Sequence, residues 1–356
     1  MGERRIVPTA PPPVWGKPFG TEPDLKHESS LRELGRHLFF EPRLSANGCR
    51  PCSACHVPEL AFTDGRARAT GAFGDEHPRN TPTLTNVGYA ASLTANKPGI
   101  GTLEEQAAVP MFNEHPPEMG LSRDSIGEVL KNLQADPMYR DLTVAATSDP
   151  NGKLTLDVVL RSLAAFERSL ISYQSGFDRY VYDGDESGMS VEAKRGMDLF
   201  FSHRLACAVC HMGWNLSGPV RSSAQAKPEQ RFHNVGIAAP TDPIQEFKVP
   251  TLRNIALTAP YMHDGSITTL SEVVEHYERG GGPNPNRSSI LRQFTLSEMQ
   301  RSDLIAFMHA LTDEAFIERA ARLRPTTISP SPKSCMVPTE VTGTPVTNGR
   351  VDARRH

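Results

Sequence analysis

Two Cys-x-x-Cys-His motifs, Cys52-Ser53-Ala54-Cys55-His56 and Cys207-Ala208-Val209-Cys210-His211, constrain this chain more than any other feature. In such a motif the two thiols can add to the vinyl groups of one porphyrin while the adjacent imidazole ligates its iron. The spacing is demanding, because three side chains must reach a single macrocycle. Cys49, three residues before Cys52, would allow a zinc set at the first motif, but the second has no such neighbour. Two motifs, each preceded by a helical pattern, point to two covalently attached haems c. In bacteria this attachment takes place outside the cytoplasm, so a periplasmic, exported protein is expected. No signal peptide is visible in residues 1–20, which are basic and Pro-rich without an apolar stretch.

At 356 residues the chain has room for two domains with separate cores. A net charge of -3 gives no electrostatic reason to expect nucleic acid or an anionic membrane as partner. No run of eighteen apolar residues occurs, so no transmembrane segment is expected. The 30 Pro and 27 Gly describe a loop-rich protein, which suits a fold whose cores are partly filled by cofactor. Cys49 and Cys335 lie outside the motifs, and a disulfide between them is left open.

Hydrophobic periodicity gives a mainly α chain of two cytochrome c-like domains. The expected divisions are an extended arm over 1–28, a first, peroxidatic haem domain over 29–185, a second, electron-transfer haem domain over 186–314, and a disordered Pro/Ser/Thr-rich tail over 315–356. Helices are expected from Leu31 to Phe40, around Ile126 to Leu133, from Leu156 to Tyr173 and from Glu192 to Phe201. Capping-box patterns at Thr102–Glu105, Thr269–Glu272 and Thr295–Glu298 open three more. A helix followed by Cys-x-x-Cys-His occurs twice, which is the internal sign of two related domains. In the helix opened by Thr269, Leu270, Val273, Val274 and Tyr277 form the inward stripe, with His276 rotated about 100° away. Periodicity alone leaves Tyr277 either a packed core tyrosine or an iron ligand.

Several further segments carry a specific pattern. They are Phe247-Lys248-Val249-Pro250-Thr251-Leu252-Arg253-Asn254, Thr258 through Gly265, Ala61-Phe62-Thr63-Asp64-Gly65, Pro78 through Leu84, and Leu103 through Met119 with its Pro110-Met111-Phe112 and Pro117-Glu118-Met119. Over roughly 29–312 the chain resembles the bacterial di-haem cytochrome c peroxidase and MauG superfamily, and within it the MbnH-like branch. The resemblance implies Tyr277 as distal ligand of the second haem iron, with His211 opposite. It implies an open first haem iron held by His56, with Glu118 as acid/base and Gln106 and Pro110 in the same pocket. It also implies a calcium ion held by Asn80 and the carbonyls of Thr258 and Pro260; oxygen-only ligands suit that ion. His77 could close the first haem in a resting state or serve the pocket or surface. One departure stands out: the stretch Leu93 to Ile100, where family members carry a Trp between the haems, has no aromatic residue, and the chain's tryptophans are Trp15 and Trp214.

The function so implied is a peroxidase-type oxidoreductase. Hydrogen peroxide would generate high-valent haem iron that oxidises a Trp or Tyr side chain of a partner protein. An anionic Tyr ligand, a hard oxygen donor, favours oxidised iron where a Met thioether favours the ferrous state. The alternatives are a classical cytochrome c peroxidase fed by a small redox protein, and a non-enzymatic di-haem electron-transfer cytochrome.

Overall fold

Close helix crossings set the frame, and two of them depend on a glycine. The computed structural model describes residues 17–18, 20–21, 25–96, 98–223 and 228–326. Among these the chain forms α1 (Leu25–Phe39), α2 (Leu103–Phe112), α3 (Ile126–Gln134), α4 (Pro137–Thr147), α5 (Leu156–Arg168), α6 (Gly176–Tyr182), α7 (Val191–Phe200), α8 (Cys207–Cys210), α9 (Leu270–Glu278), α10 (Glu298–His309) and α11 (Glu314–Ala321). A two-residue strand, β1 (Phe232–His233), pairs antiparallel with β2 (Phe247–Lys248). No described helix is long and apolar enough to cross a membrane.

In α1, Leu31, Leu34 and Leu38 are buried against the Val159, Leu163 and Phe166 face of α5. Gly35 stands at the crossing, where a methyl group would collide with the Ser162 carbonyl oxygen. The same device recurs in the second half. There α7 crosses α10 at Gly196, where a methyl group would meet the Asp303 carbonyl oxygen. Each glycine is followed by a Leu-Phe-Phe run, Leu38-Phe39-Phe40 and Leu199-Phe200-Phe201, and then by a haem motif. The helix-then-motif repeat is therefore a repeat of packing.

Two apolar cores result. The first gathers side chains from Leu31 to Leu170 together with Phe316 and Ala320, and the second those from Phe177 to Leu311. Along the chain the change from one core to the other falls between Leu170 and Phe177. Helix α5 ends at Arg168 and not near Tyr173, because the following backbone is taken by other partners. Asn86 N–H donates to the Leu170 carbonyl, Ser172 N–H to Asn86 Oδ1, and the Tyr173 and Gln174 N–H groups to Asp313 Oδ2.

The expected disordered tail from 315 is corrected over its first residues. Helix α11 is capped by Asp313, whose Oδ1 accepts from Phe316 N–H at 2.9 Å, and it returns Phe316 and Ala320 to the first core. The arm expected over 1–28 is corrected at its end, since α1 starts at Leu25; residues from 327 onward lie outside the described ones. Capping boxes form at Thr102/Glu105 and Thr269/Glu272 as expected. The third forms at Ser297/Gln300 and not at Thr295, because Leu296 is buried and its N–H donates to Glu278 Oε1.

Candidate haem sites

The first motif winds into a 3-10 turn over Cys52–Ala54, and His56 N–H donates to the Cys52 carbonyl at 3.0 Å. The chain then doubles back through Ala61 and Phe62, both left-handed at φ +50° and +64°. Val57 N–H donates to the Thr63 carbonyl to close the loop. This turn aims the Phe62 carbonyl at His56 Nδ1, 2.9 Å away. A nitrogen facing a carbonyl must carry the proton, so the Nε2 lone pair is left for a metal. Burial lowers the His56 pKa and keeps the imidazole neutral, the form that ligates.

The second motif repeats this logic. Helix α8 carries Cys207 and Cys210, and left-handed Leu216 (φ +50°) turns its carbonyl to 2.9 Å from His211 Nδ1. Burial pushes the His211 pKa down to about 4. Carbonyls of Pro82 and Pro250 also bear on the two rings. They open matching segments, Pro82-Thr83-Leu84-Thr85-Asn86 and Pro250-Thr251-Leu252-Arg253-Asn254, each ending in a left-handed Asn. Cys52, Cys55, Cys207 and Cys210 are all free thiols. Free thiols beside a neutral, oriented imidazole fit covalent haem at both motifs. Cys49 is disulfide-bonded, whereas Cys335 lies outside the described residues.

Glu118 lies near the first motif and is tied to α2, the helix that carries Gln106 and Pro110. Pro110 lies inside α2, where its missing N–H cannot bond the Gln106 carbonyl one turn earlier. Its own carbonyl accepts from Met119 N–H at 2.9 Å, which ties the Glu118 segment to α2. The Glu118 carbonyl accepts from Ala72 N–H at 2.8 Å. Glu118 bears electrostatically on both Cys52 and Cys55, which places its carboxyl at the first site. Burial raises its pKa, while His77 and a hydrogen bond from Asn113 pull the other way. His77 Nε2 stands 3.4 Å from Glu118 Oε1, so the structure gives this histidine a place in the pocket.

At the second motif the half-buried Tyr277 lies beside Cys207 and Cys210, and burial together with these sulfurs raises its phenol pKa. The expected stripe of α9 is corrected in part. Leu270 and Val274 are buried, but Val273 is half-buried and His276, expected to point away, is buried with Nε2 3.0 Å from the Val235 carbonyl. The 235–238 loop covers that face of α9, which periodicity could not anticipate.

Asn80 sits against the loop carrying Thr258 and Pro260: its N–H donates to the His263 carbonyl at 2.8 Å. Asn80 Nδ2 donates to the Arg66 carbonyl at 2.7 Å, which leaves Oδ1 as an acceptor. The aromatic-free 92–96 stretch is held by β2, through Lys248 N–H to the Ala95 carbonyl and Lys248 Nζ to the Ser92 carbonyl. Close by, Phe247 stacks on His263 with ring centroids 3.9 Å apart. Trp214 is fully buried, edge-on to Tyr89 at 5.0 Å and under the Arg253 guanidinium, a packing role in the seam between the cores.

Sequence reasoning missed Glu167. It follows the inward Phe166 in α5, where a helical turn of 100° suggests a solvent-facing carboxyl, yet it is 8% exposed. The dense crossing of α5 with both α1 and α2 encloses it.

Comparison with known proteins bears on these sites. The family model for di-haem cytochrome c peroxidase matches residues 29–187. The methylamine utilization protein MauG of Methylorubrum extorquens is 34% identical over 295 residues, covering 79% of this chain and 78% of that protein. The cytochrome c551 peroxidase of Nitrosomonas europaea is 30% identical over 80% of this chain and 81% of its own length. Among solved structures, a MauG-like protein associated with microbial copper homeostasis superposes with a TM-score of 0.77 at 33% identity, covering 87% of this chain and 94% of that one.

Proposed function

The chain belongs to the di-haem cytochrome c peroxidase and MauG family, and we propose that it directs the oxidising power of hydrogen peroxide onto a Trp or Tyr side chain of a partner protein. As a member it is a haem-dependent, peroxide-using oxidoreductase with two haems c. The observation that carries the finer reading is Tyr277 beside Cys207 and Cys210. Burial opposes ionisation of this phenol, so it becomes a phenolate only where a cation such as haem iron compensates. A phenolate there favours the oxidised state, which suits an enzyme that holds oxidising equivalents until a slow protein substrate arrives.

The haems supply redox-active iron able to take both oxidising equivalents of peroxide. The chain supplies the rest. His56 and His211 would ligate the haem irons through Nε2, with their Nδ1 protons held by the Phe62 and Leu216 carbonyls. Glu118 takes a proton from one peroxide oxygen and returns it to the other, which leaves as water. His77 and Asn113 orient that carboxyl, and Gln106 and Pro110 wall the pocket. Asn80 Oδ1 with the Thr258 and Pro260 carbonyls would hold calcium between a first haem domain (29–185) and a second (186–314). A periplasmic location follows from covalent haem attachment.

The test is EPR of the ferric holoprotein combined with turnover of a reduced small cytochrome c. One high-spin and one low-spin haem are expected, both signals lost on adding peroxide, with slow oxidation of the cytochrome. Tyr277→Phe should alter the low-spin signal, and Tyr277→Met should speed cytochrome oxidation. An unchanged low-spin signal in Tyr277→Phe, or rapid cytochrome turnover by the unaltered protein, overturns the reading.

A further inference from the structure

Glu167 is a carboxyl that the mechanism above leaves unused. It lies at the C-terminal end of α5, 8% exposed, and its Oε2 is sealed from solvent without a hydrogen-bond partner. A carboxylate in that condition would be strongly destabilised, since a buried charge needs pairing and hydrogen bonds. The cation next to it does not supply them. Arg168 instead places Nη2 2.6 Å from Glu104 Oε1 of α2. On the other side is the first haem motif, where Glu167 is the foremost charged group acting on the Cys52 sulfur. Cys52 is one of the two sulfurs through which the first haem is attached.

We propose that Glu167 is a proton-carrying carboxyl electrostatically coupled to the first haem, taking up a proton when that haem is reduced and releasing it when the haem is oxidised. The inference rests on a haem bound at Cys52, Cys55 and His56, and on neither peroxide use nor the identity of the substrate. Electrostatics favours it: reduction adds one electron to the iron from an external donor and lowers the local positive charge, which raises the proton affinity of a nearby carboxyl. Glu167, whose Oε2 has no hydrogen-bond partner, then binds a proton from solvent. Oxidation reverses both transfers. Burial raises the Glu167 pKa to about 8, with Arg168 lowering it and Glu104 raising it. No ionisable group of α1, α4 or the Val87–Tyr89 turn, which also pack on α5, acts on it among the described residues. Glu118 faces the same Cys52 sulfur from the α2 side and is the other carboxyl to be separated from it.

The experiment is a spectroelectrochemical titration of the two-haem protein between pH 6 and about pH 10, without peroxide or partner. In the unaltered protein the first haem's midpoint potential should fall as pH rises through the region of the Glu167 pKa. In Glu167→Gln, which keeps the shape and cannot titrate, that fall should be lost while the second haem is unaffected. Glu118→Gln should retain it. Redox-difference infrared spectroscopy provides a second readout that needs no Glu167 variant. A protonated-carboxyl band that responds to reduction of the first haem should appear in the unaltered protein and persist in Glu118→Gln. The same pH dependence in Glu167→Gln as in the unaltered protein overturns the proposal. So does the absence of a responding carboxyl band from Glu118→Gln.

Discussion

Glu118 and His77 meet at 3.4 Å because two loops distant in sequence are hydrogen-bonded to each other. The loop of Glu118 is bonded to α2 through Met119 and Pro110, and the loop of His77 is joined to it by Ala72 N–H donating to the Glu118 carbonyl at 2.8 Å. Only the ionised carboxyl can accept a proton from peroxide, and burial lifts the Glu118 pKa above the ordinary glutamate value. The rate of peroxide reaction should therefore rise with pH through that raised value and level off above it. Glu118→Gln should lower the rate by about 100-fold or more and abolish the rise. Stopped-flow measurement across pH checks both; a Gln variant with an unchanged profile would remove Glu118 from its proposed role. His77 was legible in the sequence only as one of several possibilities, because its neighbour lies 41 positions away in the chain.

At the scale of elements, termini are set by local chemistry and crossings by close approach. Helix α2 begins where Thr102 Oγ1 accepts from Glu105 N–H at 3.2 Å while Glu105 Oε2 accepts from Thr102 N–H at 3.1 Å. Thr102→Ala should cost about 1 kcal/mol, seen as a lower denaturation midpoint with unchanged haem spectra. A cap of this kind is visible as a four-residue pattern, which explains why two of three boxes were placed correctly. The third moved by two residues because Leu296 is held in place by Glu278, a tertiary contact. The length of α5 was misjudged for the same reason, its apolar pattern continuing past the point where Asn86 and Asp313 capture the backbone.

Across the whole molecule Asp313 is the joint. It is fully buried, and Oδ2 accepts from Ser172 Oγ, Tyr173 N–H and Gln174 N–H at 2.9 to 3.0 Å. Its Oδ1 caps α11, and its own N–H donates to Asn254 Oδ1 at 2.8 Å. One side chain thereby ties the segment between the two cores to the turn at Asn254 and to the helix that returns to the first core. Asp313→Ala would leave several buried donors unpaired, and a loss of about 3–5 kcal/mol is expected by chemical denaturation of the holoprotein. A loss below about 1 kcal/mol would show that the joint is not what couples the two halves.

From sequence alone the two Cys-x-x-Cys-His motifs pointed to the cofactor class and to two haem sites, because three side chains must reach one macrocycle, while hydrophobic periodicity gave the mainly α fold. Helix starts and the twofold recurrence were equally local. Tertiary structure alone decided which residues face each site from a distance. It placed Tyr277 beside Cys207 and Cys210, paired His77 with Glu118, enclosed Glu167 and folded α11 back onto the first core. Those outcomes depend on burial and on carbonyls delivered by remote turns, which no periodicity along one segment records.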